Sequence, residues 1–75
     1  MPFVTVKVIE GVFDETRKRA LAEQVTEAMV RVEGEAMRPL TWVVVEEVKS
    51  GDWYIGGAGK TTQDVLALAG AAPVG

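Results

Sequence analysis

Residues 3–48, FVTVKVIEGVFDETRKRALAEQVTEAMVRVEGEAMRPLTWVVVEEV, determine the fold. Residues 3–9 place a valine at every second position, and this alternation of β-branched residues predicts a strand. Residues 40–48 are again rich in valine and predict a second strand, whereas residues 15–33 have the apolar spacing of a helix. Strand, helix and strand form a β-α-β unit, whose crossover makes the two strands parallel.

Local signals set the bounds of the predicted helix. Asp14 offers a side-chain oxygen as the N-cap, Glu15 lies near the positive end of the helix dipole, and Gly34 is placed to end the helix. One apolar stripe is expected to be buried, and its members are Leu21, Val25, Ala28, Met29 and Val32. The charged residues expected on the solvated face are Arg17, Lys18, Glu23, Glu27 and Arg31.

Both faces of the predicted sheet carry apolar groups. In the first strand Val4, Val6 and Val8 face one way and residues 3, 5, 7 and 9 face the other, while residues 43–45 are three consecutive valines. One long helix cannot cover both faces. The chain has 75 residues, 48% of them apolar, and no cysteine for a disulfide. We therefore expect the second face to be covered by another subunit.

The remainder of the chain predicts smaller elements. Residues 49–59 are rich in glycine and predict a loop or short hairpin with an aromatic tip. Thr61 or Thr62 then caps a short helix, Asp64 can complete a capping box, and the helix is expected to stop near Gly70, before a frayed tail. The expected fold is one α/β (α+β) domain, residues 1–75, with a long helix on a mainly parallel sheet, a C-terminal hairpin and a short helix.

Composition excludes several classes of function. Eight Lys and Arg against eleven Asp and Glu give a net charge of −3 without a basic block, which argues against nucleic-acid binding. The absence of His and Cys removes imidazole and thiol chemistry and the usual metal ligands, so we expect neither a metal nor another cofactor. No apolar run approaches the ~20 residues of a membrane span and no signal peptide is evident, so we expect a cytoplasmic protein without membrane contact.

Two motifs are weak. Residues 57–61, GAGKT, resemble the end of a phosphate-binding loop, but Tyr54 stands where the motif needs its first glycine, so a glycine connection before a helix cap is the favoured interpretation. Glu46 and Glu47 are adjacent carboxylates, which a strand would point to opposite faces, away from any common substrate.

Pro2 is the most informative candidate for catalysis. Removal of the initiator Met1 would leave a free secondary amine at the chain end, which is a general base that needs no histidine. Amino termini titrate near neutrality, at about 7.7 to 8.0, and an apolar site lowers that value. Because the first strand begins at once, the amine would be held in structure.

Four segments together make the sequence similar to the 4-oxalocrotonate tautomerase family. They are Met1-Pro2-Phe3-Val4, Ile9-Glu10-Gly11, Asp14-Glu15 and Trp53-Tyr54-Ile55-Gly56-Gly57. The resemblance extends from residue 2 to about residue 57. It implies a β-α-β subunit that assembles as a hexamer, a trimer of dimers, with Pro2 as the catalytic base in a pocket built from neighbouring subunits. It also implies that Trp53 keeps this pocket apolar.

The sequence departs from the family at two positions. Val12 and Trp42 stand where the resemblance leads us to expect arginines that bind the substrate carboxylate and polarise its carbonyl. We expect Arg38, four residues before Trp42, to replace that charge; an exposed loop position is the alternative for Arg38. Lys7 is a further cation, on the first strand.

The expected function is that of a tautomerase, an isomerase in which Pro2 moves a proton between the keto and enol forms of a small unsaturated 2-oxo or 2-hydroxy acid. Arg38, Trp53 and Trp42 are the expected substrate-binding residues. A non-catalytic structural subunit of such an assembly is one alternative. A hydratase or dehalogenase of unsaturated acids, with protonated Pro2 as an acid, is another.

Overall fold

The long strand, helix and strand of residues 3–48 form a β-α-β unit. In the computed structural model, which describes residues 1–69, β1 spans Phe3–Ile9, α1 spans Glu15–Glu33 and β2 spans Trp42–Val48. The predicted bounds of β1 and α1 are confirmed. The predicted start of β2 at Leu40 is wrong, because a 3-10 helix at Glu35–Leu40 takes that residue.

The capping signals of α1 act as predicted. The side chain of Asp14 accepts a hydrogen bond of 2.8 Å from the N–H of Arg17. At the other end the N–H of Gly34 donates to the carbonyl of Val30, 2.8 Å, and Gly34 has a φ of 102°, which glycine adopts without strain. The chain can therefore leave α1 sharply and enter the 3-10 helix.

Strands β1 and β2 are parallel neighbours, as the crossover requires. Phe3 lies opposite Trp42 and Ile9 lies opposite Val48, so the pairing runs without a bulge over the full length of both strands. The N–H of Glu10 extends the ladder by donating to the carbonyl of Val48, 2.8 Å. The structure is thus a mixed α/β fold of the predicted order.

One face of this sheet lies under α1, and the valines of that face are half-buried, namely Val4, Val6, Val8, Val43 and Val45. The predicted stripe of α1 is wrong at Ala28 and at Val32, which is 88% exposed. Leu21, Val25 and Met29 are half-buried as predicted. The adjacent row Ala22, Thr26 and Val30 also lies inward, and Val30 is buried.

The other face of the sheet is open. Phe3 is 63% exposed and Trp42 is 53% exposed, and Val44 lies beside them. Their pattern follows the alternation of β1 and β2, since every second residue points away from α1. Among residues 1–69, Ile9 and Val30 are the only apolar side chains that are buried. The described chain leaves much of its apolar surface uncovered.

A hairpin and a short helix follow the β-α-β unit. Strands β3 (Trp53–Ile55) and β4 (Ala58–Lys60) pair antiparallel around Gly56 and Gly57, which both have positive φ. The hairpin is confirmed, but its tip is glycine and not aromatic, because Trp53 and Tyr54 belong to β3. Helix α2 spans Thr62–Leu68.

Helix α2 carries the predicted capping box. Its N-cap is Thr61, whose side chain accepts from the N–H of Asp64 while the Asp64 carboxylate accepts from the N–H of Thr61. The predicted stop near Gly70 and the tail after it lie outside the described residues. Within residues 1–69, no helix is both long and apolar enough to cross a membrane.

Candidate active site

Pro2 lies at the amino end of β1, where β2 holds it in place. Its carbonyl oxygen accepts a hydrogen bond of 3.1 Å from the backbone N–H of Trp42. Pro2 is half-buried, whereas Met1 is 75% exposed. The hydrogen bond engages the carbonyl and not the ring nitrogen.

Two aromatic rings lie on the open face of the sheet, at the amino end of β1 that Pro2 precedes. The rings of Phe3 and Trp42 are 6.0 Å apart between centroids and tilted by 37°, within the range in which aromatic pairs attract each other. The structure therefore brings together two of the predicted site residues, Pro2 and Trp42. Phe3 was missed as a neighbour of the site, although its place next to Pro2 in an alternating strand was the available signal.

Arg38 lies in the 3-10 helix, and its guanidinium is held by two carboxylates. The two terminal nitrogens donate to the two carboxylate oxygens of Glu27, at 2.7 and 3.0 Å. Nε and one terminal nitrogen donate to Glu35, at 3.0 and 3.1 Å. These hydrogen bonds raise the pKa of Arg38 further above its ordinary value, and the bonds from Arg38 lower the pKa of Glu27.

The 3-10 helix is joined to the start of β2 through Thr41. Its hydroxyl lies within hydrogen-bond distance of the Met37 carbonyl, at 2.9 Å, and of the Glu33 carboxylate. Its N–H donates to the carbonyl of Arg38, 3.2 Å. Arg38 is thus placed at the same end of β2 as Trp42 and Pro2, on a segment tied to α1.

Trp53 lies at the other end of the sheet, where it lines an apolar pocket. The pocket has a volume of about 270 Å³. The described side chains that line it are all apolar, and they are Val8, Ile9, Val12, Phe13, Trp53 and Val65. Val12 therefore belongs to a pocket wall, a role that the sequence did not reveal because the wall combines β1, the hairpin and α2.

Three hydrogen bonds tie α2 and the segment around Ser50 to the end of β1, beside this pocket. The Thr62 hydroxyl donates to the Glu10 carbonyl, 2.5 Å, and the Thr62 N–H donates to the Ser50 hydroxyl, 2.8 Å. The Ser50 N–H donates to the Glu10 carboxylate, 3.0 Å. Gly11 permits this approach, since a Cβ there would lie 3.1 Å from the Thr62 side chain.

Pro2 and Trp53 are far apart within one chain. The seven residues of β1 separate them, which is roughly 20 Å at the rise of a strand. The single chain therefore carries two separate groups of predicted site residues at opposite ends of β1, with Pro2 and Trp42 at one end and the Trp53 pocket at the other.

Glu46 and Glu47 of β2 point to opposite faces of the sheet, as predicted. Lys7 is 3.8 Å from Glu46 on the open face. Glu47 contacts Lys18 of α1 at 3.4 Å on the covered face. The two glutamates thus do not form a pair of catalytic carboxylates.

The glycines of residues 57–61 serve the hairpin. Residues 58–60 form β4, and Thr61 caps α2. A Cβ at Gly59 would lie 3.2 Å from the Gly51 carbonyl oxygen and 3.3 Å from the Tyr54 ring, which explains a glycine there without a phosphate.

The fold and the candidate site define a small β-α-β protein with a proline directly before its first parallel strand and an apolar pocket at the end of that strand. Comparison with known proteins identifies a family for this chain. The model of the tautomerase enzyme family matches residues 2–63. The chain belongs to the tautomerase enzyme family.

Curated relatives cover most of the chain. A 2-hydroxymuconate tautomerase of Bacillus subtilis is 40% identical over 65 residues, 87% of this chain and 98% of that protein. A probable tautomerase of Listeria monocytogenes is 38% identical over 61 residues, 81% of this chain and 97% of that protein. A probable tautomerase of Staphylococcus aureus is 40% identical over 63 residues, 84% of this chain and all of that protein. No solved structure gives a significant match. The family and the relatives' names support a tautomerase function, and hence an enzyme of the isomerase class.

Proposed function

We propose that the chain is a tautomerase in which the amino-terminal nitrogen of Pro2 is the general base. The observation that carries the proposal is the hydrogen bond from the Trp42 N–H to the Pro2 carbonyl, which anchors the residue at the edge of an apolar face. Removal of Met1 makes the ring nitrogen a secondary amine. A terminal amine titrates near neutrality, so part of it is unprotonated at pH 7 and can accept a proton.

The reaction is proton transfer within a small unsaturated 2-oxo or 2-hydroxy acid. In the direction of ketonisation the enol O–H loses its proton, and a proton is added to a carbon of the conjugated system, so no atom is gained or lost. Pro2 carries the proton between these positions. A positioned base of this kind contributes about 10²–10⁴-fold to the rate.

Assembly completes the site in this proposal. Pro2 and the Trp53 pocket are at opposite ends of β1 in one chain, so a second copy is needed to bring a proline against a pocket. The open sheet face supports such association because its amino-terminal part, with Phe3, Trp42 and Val44, is apolar and uncovered. We propose a homohexamer, a trimer of dimers.

Arg38, Trp42 and Trp53 are the proposed substrate-binding residues. Trp42 and Trp53 provide apolar walls. Arg38 provides the charge for a substrate carboxylate by exchanging Glu35, whose side chain is 73% exposed, while it keeps the forked contact with Glu27.

The test compares the parent protein with the Pro2→Ala variant, using phenylenolpyruvate and 2-hydroxymuconate as substrates. Intact mass first establishes that Met1 has been removed from both, and native mass establishes that both assemble alike. We expect kcat/KM of the variant to be about 10²–10⁴-fold lower on every substrate that the parent accepts. Equal activity of the two proteins would contradict the proposal.

The two alternative functions predict other outcomes. A structural subunit would assemble without turning over either substrate. A hydratase or dehalogenase would add water to an unsaturated acid or release halide from it, and this activity would fall at high pH as the Pro2 amine loses its proton.

A further inference from the structure

The apolar pocket at the end of β1 offers no partner for a charged group. The described residues that line it have no charged side chain, and Trp53 and Phe13 provide its aromatic surface. Two described cations lie near Trp53 without lining the pocket. Lys7 belongs to a separate depression and is 3.8 Å from Glu46, and Lys60 lies opposite Trp53 in the hairpin. A carboxylate placed here would lose its hydration without gaining an ion pair, which is strongly unfavourable.

The size of the pocket suits a compact apolar group. An apolar cavity of about 150 Å³ can hold benzene, and this pocket has about 270 Å³ and is open to the surface. A phenyl ring or a branched alkyl group therefore fits with room for the chain that attaches it to the reacting carbons.

We propose that this pocket binds the apolar end of the substrate, so that the enzyme acts on 2-oxo and 2-hydroxy monoacids with an aryl or branched alkyl substituent and discriminates against dicarboxylates. Val12 is the residue that determines this specificity. The inference rests on the proposed function, because a proline of another subunit must reach this pocket for its occupant to react.

Val12 is suited to that role by its position. It lies in the pocket wall directly after Gly11, whose close approach to Thr62 fixes the backbone there. A long cationic side chain at this position would enter the pocket or its mouth and supply the charge that a second carboxylate needs. The pocket would then favour dicarboxylates over monoacids with an apolar substituent.

The decisive experiment measures kcat/KM of the parent, Val12→Arg and Gln63→Arg for phenylenolpyruvate and 2-hydroxymuconate. Gln63 is exposed on α2, so its substitution adds the same charge outside the pocket. We expect the parent to favour phenylenolpyruvate at least about tenfold, the lower end of the discrimination that one methylene group gives in an apolar pocket. Val12→Arg should reverse the preference and Gln63→Arg should retain it.

A second variant and a binding measurement keep the test independent of folding and of turnover. Val12→Thr has nearly the same shape and should lower kcat/KM for phenylenolpyruvate several-fold with little effect on the dicarboxylate. Calorimetry with the unreactive acids trans-cinnamate and muconate should show tighter binding of cinnamate to the parent.

The outcomes separate the two proposals. A parent that prefers the dicarboxylate in turnover and binding, or a pocket that binds neither acid because another subunit fills it, would overturn the inference on Val12. A protein that binds cinnamate more tightly than muconate, reverses this in Val12→Arg and yet turns over neither substrate would support the pocket and refute the proposed function.

Discussion

Arg38 makes four hydrogen bonds to two carboxylates. Its fork to Glu27 joins the 3-10 helix to α1, and its contacts with Glu35 act within the 3-10 helix itself. The guanidinium has planar geometry and five donors, which match two carboxylates in a way that a lysine could not. Arg38 therefore fixes the segment that precedes Trp42, and the N–H of Trp42 donates to the Pro2 carbonyl.

Removal of this guanidinium should weaken the fold in a pH-dependent way. Hydrogen bonds from Arg38 lower the pKa of Glu27 below its ordinary value of 4.5. A carboxyl group whose pKa is lowered by folding contributes stability that is fully present above its unfolded value and is lost as the pH falls through the folded value. We therefore expect Arg38→Met to lower Tm at pH 7, and the difference from the parent to shrink as the pH falls below 4.5.

Thermal unfolding of both proteins between pH 3 and pH 8 measures this difference. Lys49→Met, which removes one positive charge from an exposed position, is the matched control and should shift Tm less at pH 7. A Tm difference that stays constant down to pH 3 would refute the assignment to the Glu27 pair. Arg38→Met should also raise KM for acidic substrates, because Arg38 is the proposed partner of their carboxylate.

At the scale of elements, α2 is short and depends on its first turn. Seven residues are too few for a stable isolated helix, so the capping box and the contacts of Thr62 must supply much of its order. Val65 enters the apolar pocket from this helix. Order in α2 is therefore coupled to the shape of the pocket.

We expect Thr61→Ala to destabilise the protein by about 1 kcal/mol, because it removes the N-cap that accepts the Asp64 N–H. Thr61→Ser keeps a capping hydroxyl and serves as the control. Urea denaturation gives the free energy of unfolding, and hydrogen exchange of the α2 amides reports local fraying. Equal protection of α2 in both variants would show that the box contributes little.

The elements differ in how well the sequence predicted them. β1 and α1 follow from local signals, namely alternate valines and the caps Asp14 and Gly34. The predicted start of β2 at Leu40 was wrong because Leu40 belongs to a 3-10 helix. Hydrogen bonds of Arg38 to Glu27 and of Thr41 to Glu33 hold this segment against α1, and these partners are not neighbours in sequence. The apolar pocket could not be predicted, since it joins three elements whose contacts no local pattern records.

At the scale of the whole molecule, the described chain resembles half of a layered structure. α1 covers one face of the β1–β2 sheet and leaves the other face to solvent, with two exposed aromatic rings. A parallel sheet is ordinarily covered on both faces. The proposed hexamer would supply the missing cover and would join the two parts of the site.

A charge on the open face should therefore disrupt assembly. Val44→Glu places a carboxylate opposite Thr5, in the middle of that face. We expect native mass spectrometry to show smaller species than for the parent, together with loss of turnover. Gln24→Glu adds the same charge at an exposed position of α1 and should retain the parent's mass. A parent that is itself a stable monomer would contradict the proposed assembly.

The two-stranded sheet also has free edges. Among the described residues, β1 and β2 pair only with each other. The backbone N–H and C=O groups on the outer edge of each strand therefore have no neighbouring strand to which they can hydrogen-bond. A chain released from the proposed assembly would present these edges beside an apolar face, a combination that favours aggregation over a soluble subunit. For this protein, folding and association would then be one equilibrium, and a free energy of unfolding would have meaning only at a stated chain concentration.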